Sequence, residues 1–203
     1  QQYREVHPFT DAAPGGWSWT PLPGGVPDAD DTPGALLALK QLGDIDDTTR
    51  DAARAGCVWL LDLQNRDGGI PTFCRGWTNL PFDRSSPDLT AHTLRAWLAW
   101  RDELPELADR IDAAIHAAAR FLAQSEGAGL DGWAPLWFGN QHEPHEINWT
   151  YGTAKVLLAL NEPEQQALPG GALRVTRAKN ALLEMQHETG AWSGFKGGEP
   201  SIE

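Results

Sequence analysis

Three observations predict an all-α fold built from helical hairpins. Apolar residues recur at helical spacing in six stretches, separated by loops dense in Gly, Pro and Trp. A glutamine followed by a glycine turn ends every second stretch. Leu63-Gln64 precedes Gly68-Gly69, Ala123-Gln124 precedes Gly132-Trp133, and Met185-Gln186 precedes Gly190 and Trp192, so the glutamines stand 60 and 62 residues apart. A period of that length marks a repeated supersecondary unit whose apolar face its neighbours cover. The first, third and fifth stretches are short and lightly charged, whereas the others carry Arg, Asp and Glu along one side. That contrast predicts two concentric layers, the first set inside and the second facing water.

Residues 1 to 30 carry few helical signals; Pro14-Gly15-Gly16-Trp17-Ser18-Trp19 and the prolines after it read as an ordered, aromatic-bearing loop. The first helix spans about Thr32 to Leu42, is mostly Ala and Leu, and is expected to be buried over most of its surface. The second runs from Asp47 or Thr48 to about Gln64, stopped by Asn65-Arg66-Asp67-Gly68-Gly69. After a loop with Phe73, Cys74, Trp77 and Phe82, Pro87-Asp88 opens the third, which contains His92, Leu94, Trp97 and Leu98. Pro105 opens a fourth that reaches Gln124. Another glycine and tryptophan loop, Gly129 to Trp149, precedes a fifth from about Thr150 to Leu160, and the sixth runs from about Leu173 to Gln186. The hairpins are therefore about 31–64, 88–124 and 150–186, within a single unit of 1–203.

Composition narrows the function. The 203 residues carry a formal charge of -12, from 28 Asp plus Glu against 16 Lys plus Arg, and no basic tract longer than a pair. That argues against a nucleic-acid partner and leaves an apolar substrate open. Cys57 and Cys74 are too few for a disulfide framework and match no zinc spacing. There is no apolar signal segment and no run of eighteen apolar residues, so a cytoplasmic location is expected. The chain begins at Gln1 rather than Met, which suits a piece of a longer protein. Ten tryptophans and 21 glycines exceed what helix cores use, so they are assigned mainly to loops with packing or binding roles.

The most informative stretch is Pro27-Asp28-Ala29-Asp30-Asp31-Thr32-Pro33. Three carboxylates stand where a helix begins, with Asp31 or Thr32 as cap and Pro33 in the first turn. A cap needs one acid. Three crowd one another, and burial would raise the proton affinity of at least one, keeping a proton ready for transfer. An exposed capping turn with spare surface acids is the competing reading. Likewise His142, Glu143, His145 and Glu146 read either as metal ligands or as a polar surface loop; they lack a ligand spacing, and no metal or other cofactor is expected.

With these residues in hand, the chain resembles the triterpene cyclases, most closely squalene-hopene cyclase and more distantly class II diterpene cyclases. The family motif Asp-x-Asp-Asp-Thr-Ala appears as Asp28-Ala29-Asp30-Asp31-Thr32 with Pro33 in place of Ala, and Asp88-Leu89-Thr90-Ala91-His92 adds to it. The resemblance implies an α/α toroid, here half of an (α/α)6 barrel, and proton-initiated cyclisation of squalene or a related polyprenoid. It implies Asp30 as the proton donor, His92 as the hydrogen-bonding partner that strengthens it, and Asp28 and Asp31 as partners in the acid site. Asp88 matches as well, and the resemblance implies a place for it at the substrate-binding surface. Trp19, nine residues before the first acid, stands where the family has a cavity phenylalanine, and Trp137 and Tyr151 resemble the cavity tryptophan and tyrosine. Each has core or loop packing as its plainer reading. The loop after Gly68-Gly69 and the Gly139 to Glu146 insertion depart from the family, leaving the product open.

Peripheral contact with a membrane face is implied by a lipid-soluble substrate, and self-association by an exposed inner-helix edge. The chain alone could be inactive. A class II diterpene cyclase would need a basic pocket that Arg54, Arg75 and Arg84 do not make. A prenyltransferase β subunit would need zinc ligands. A non-catalytic toroid module binding lipid or protein is the rival outside catalysis.

Overall fold

The computed structural model describes residues 1–22, 24–77, 80–127, 132–137, 139, 147–166 and 170–198. Among them the regular elements are helices: α1 Asp31–Gln41, α2 Asp47–Leu63, α3 Pro87–Trp100, α4 Ala108–Gln124, α5 Trp149–Leu160, α6 Pro163–Gln166 and α7 Gly171–Met185. The architecture is all-α, packed as an α/α toroid segment. The inner helix α3 lies between α1 and α5, while α2, α4 and α7 back α1, α3 and α5 as their hairpin partners.

Local chemistry explains most boundaries. Asp46 caps α2 by accepting from the Thr49 N–H at 2.7 Å, and Asn148 caps α5 by accepting from Tyr151 at 2.9 Å. Pro87 fits the first turn of α3. The expected fourth helix starts late. Pro105 bars α geometry in Leu104 and opens a 3-10 turn, Pro105–Leu107, before the α-helix begins at Ala108. The short α6 was not foreseen.

Burial follows position in the arc rather than composition. In α3, with helices on both sides, ten residues from Pro87 to Trp100 are buried. In α1 only Thr32, Pro33 and Leu36 are, which corrects the expectation of a helix buried over most of its surface. Its Ala and Leu residues make it fit for the inside, but among the described residues α3 is its one inner-layer neighbour.

The repeat has a physical content. In the turn after α2, Gln64 Nε2 donates to Gly68 O at 2.9 Å and to Ala114 O of α4 at 3.0 Å. Gly68 takes φ 93°, and a Cβ there would sit 2.3 Å from Ala117 O, so only glycine lets the turn rest on α4. The same joint occurs earlier in the chain, where it had escaped notice. Gln2 Nε2 donates to Gly15 O and Ala52 O, both at 2.9 Å, and a Cβ on Gly15 would meet Ala55 O at 2.4 Å. Each turn then feeds an N–H to a buried threonine in an inner helix: Trp17 to Thr32, Ile70 to Thr90 and Trp133 to Thr153, at 2.9, 2.9 and 3.1 Å. These bonds bring the starts of α1, α3 and α5 to one end of the molecule.

Candidate active site

The acidic stretch is threaded between two of these turns. Asp28 N–H donates to Trp17 O at 3.0 Å, Ala29 N–H to Thr72 O at 2.9 Å, and Cys74 N–H to Pro27 O at 3.3 Å. Held on both sides, Asp28 is 5% exposed. Its Oδ1 accepts the N–H groups of Asp30 and Asp31 at 2.8 and 2.7 Å. Asp28 thus performs the capping expected of Asp31 or Thr32, because the loop turns its carboxylate back over the first helical amides. Thr32 instead serves the Trp17 joint. Burial pushes the Asp28 carboxyl up to about 8, with the adjacent Asp31 charge adding to it and the two amides only partly opposing it.

Asp30 is set the other way. Burial alone would raise its proton affinity, but His92 and Lys155 together outweigh that and hold its carboxyl below the usual carboxylate range. His92 Nδ1 lies 2.8 Å from Asp30 Oδ1, and Lys155 Nζ lies 3.5 Å from the same oxygen. His92 reaches it from α3, its ring packed where Gly34 leaves α1 bare: a Cβ on Gly34 would stand 3.6 Å from His92 Cε1. The cluster that sequence reasoning assigned to Asp28, Asp30, Asp31 and His92 is brought together. Lys155 was missed.

Asp88, expected at the substrate surface, has no exposed surface. It lies behind the site, accepting the Ser86 hydroxyl, which in turn accepts Leu136 N–H at 2.9 Å. Burial raises its carboxyl, only partly offset by that bond, and among the described residues Oδ2 has no hydrogen-bond partner. Tyr151 is half-buried on α5; its phenol is pushed up by burial first and then by the charges of Asp30 and Asp88. The tyrosine therefore stands beside the acids.

Trp19 and Trp137 meet through aromatic residues of the loop between α2 and α3. Phe73 contacts Trp19, Trp77, Phe82 and Trp137 with ring centroids 5.2 to 6.4 Å apart, mostly edge to face, and Phe82 meets Trp137 at 4.5 Å. A cleft of about 290 Å³ is lined by the acids Asp28, Asp30 and Asp31, the rings of Trp19, Phe73 and Trp137, and Thr72 and Leu89. Five rings, Trp19, Phe73, Trp77, Phe82 and Trp137, form one cluster from three separate stretches of the chain. Cys57 and Cys74 are free buried thiols. Among the described residues no group of three or more His, Cys, Asp or Glu side chains could hold a metal ion, and His142, Glu143, His145 and Glu146 lie outside the described residues. Nor is any described helix long and apolar enough to cross a membrane.

A family model of the squalene-hopene cyclase C-terminal domain matches residues 6–197. The chain belongs to this family. The matched span takes in the acid cluster, His92, Lys155 and the aromatic rim of this squalene-hopene cyclase domain. Enfumafungin synthase of Hormonema carpetanum is 30% identical over 196 residues, covering 88% of this chain and 14% of the relative. Squalene-hopene cyclase of Zymomonas mobilis is 27% identical over 191 residues, covering 90% of this chain and 27% of the relative. Squalene hopane cyclase of Aspergillus fumigatus is 26% identical over 223 residues, covering 88% and 28%. The chain thus spans between 14% and 28% of the length of these relatives.

Proposed function

We propose that the complete protein cyclises squalene or a related polyprenoid by protonating a terminal alkene, with Asp30 as the acid. One observation carries this reading: the 2.8 Å contact of His92 Nδ1 with Asp30 Oδ1 beside an aromatic-rimmed cleft. Both His92 and Lys155 approach Oδ1, so Oδ2 is the oxygen that carries the transferable proton. The alkene π pair takes that proton as a new C–H bond; positive charge appears on the neighbouring carbon and Asp30 is left a carboxylate. Groups that favour the carboxylate act most strongly as its charge develops, which is the difference that lowers a barrier. The rings of Trp19, Phe73 and Trp137 offer their faces to the cation and displace the water that would quench it.

The test is product analysis of the complete protein incubated with squalene in detergent or lipid, beside Asp30→Asn. Cyclic triterpene from the unaltered protein alone supports the reaction and its donor. No product from a soundly folded protein sinks the squalene assignment and shifts the reading to another polyprenoid or to a binding role.

A further inference from the structure

Lys155 takes in α5 the place that His92 takes in α3. Each stands two residues after the buried threonine that receives the turn N–H, Thr153 and Thr90. The corresponding place in α1 is Gly34, against which the His92 ring lies. Neighbouring inner helices thus bring their equivalent positions to one level, and both side chains turn to Asp30 Oδ1. Lys155 Nζ lies 3.5 Å from that oxygen, 3.5 Å from His92 Nδ1 and 5.8 Å from the Tyr151 ring centre one turn earlier. Its side chain is 24% exposed, so the ammonium is partly screened but not lost in solvent.

We propose that Lys155 is a positioning residue for the acid: its ammonium shares Asp30 Oδ1 with His92, stabilises the carboxylate that proton transfer leaves, and thereby sets the pH range of initiation. The inference rests on Asp30 being the acid, as read above. An ammonium donates and cannot accept, and it carries a full positive charge, so it stabilises the charged Asp30 carboxylate more than the neutral acid. His92 Nδ1 cannot donate to Asp30 and accept from Lys155 at once; with the N–H turned to Asp30, Lys155 acts on the oxygen. The other titratable groups around the pair are Asp88 on α3, Tyr151 on α5, Asp28 in the acidic loop and Asp31 at the first position of α1. Arg95 and Glu162 face each other at 3.9 Å further along the α3–α5 seam.

Two effects oppose each other. Lys155 makes Asp30 a stronger acid, and it shrinks the fraction of Asp30 that holds a proton near neutral pH. Removing it should raise the midpoint of Asp30 titration by about one pH unit, the low end for an opposite charge at this distance because both groups are partly exposed. Turnover against pH should then fall off about one unit higher, while the low-pH plateau drops because the acid is weaker.

The experiment is an isotope-edited infrared titration of the complete protein, identifying the Asp30 carboxyl band as the one that Asp30→Asn removes. Lys155→Met should move its midpoint up, and Lys155→Arg should return it close to the starting value. A midpoint unmoved in Lys155→Met with an unchanged thermal transition overturns the proposal; Lys155→Gln carries the same test if the methionine variant does not fold. A shifted midpoint in a protein that makes nothing from squalene upholds the hold of Lys155 on Asp30 and overturns only the substrate reading.

Discussion

Asp28 and Asp30 are two positions apart and their proton affinities are shifted in opposite directions, for reasons that lie in their partners. Asp28 has two backbone amides and almost no water; Asp30 has an imidazole and an ammonium. Replacing His92 by Phe removes the closer of the Asp30 partners, so the acid should weaken and turnover fall about ten-fold or more. Rates of cyclic product at several pH values check this, with the alkaline limb expected to move up. Asp28 makes a separate prediction about stability. Its folded value of about 8 lies above the 3.8 of a free carboxyl, so its contribution is fully present below about pH 4 and is lost as pH rises towards 8. Asp28→Asn keeps an oxygen for the two amides and abolishes the titration. Relative to the unaltered protein it should gain stability from pH 5 to pH 8, as read by urea midpoints at the two pH values.

At the scale of the element, the glutamine and glycine turn is the joint that converts helix pairs into a curved wall. Gln64 ties its own turn to α4, and Gly68 lets backbone meet backbone where any side chain would collide. Gln64→Ala should cost about 1–3 kcal/mol, the worth of two ordinary hydrogen bonds. Gly68→Ala should cost about 1–3 kcal/mol from its left-handed backbone alone, before the clash with Ala117 O is counted. Chemical denaturation measures both. A smaller loss at Gly68 would mean that the turn can lift away from α4.

Across the whole molecule, α3 is the keel. Trp100 closes its C-terminal end, fully buried, and donates Nε1–H to Leu36 O of α1 at 2.8 Å. Trp100→Ala should destabilise by about 3–5 kcal/mol, and it should do so by loosening α1, which carries the acids. Hydrogen exchange would show amides of Leu36 to Leu39 losing protection before those of α5. A cleft of about 290 Å³ is near the small end of ligand pockets, and a triterpene precursor needs more room. Leu158, 53% exposed on α5, lies on a face that the segment itself leaves uncovered.

Read alone, the sequence determined six of the helices, their order, the recurrence of the glutamine and glycine turns and the adjacency of the three acids along the chain. These depend on short-range chemistry: caps such as Asp46, stops such as Asn65 to Gly69, and acids adjacent in the chain. The repeat joint at Gln2 stayed hidden because 13 residues separate it from Gly15, against 4 between Gln64 and Gly68. Lys155 was legible only as a residue one turn beyond Tyr151; that it reaches Asp30 depends on α3 and α5 lying side by side at matched height. Only the tertiary structure decided that Asp88 is sealed in, that Phe73 and Phe82 join Trp19 and Trp137, and that burial raises the Asp28 carboxyl while His92 and Lys155 lower that of Asp30. Charge state depends on what three separate helices and two loops place within a few ångströms, and spacing along the chain carries no record of that.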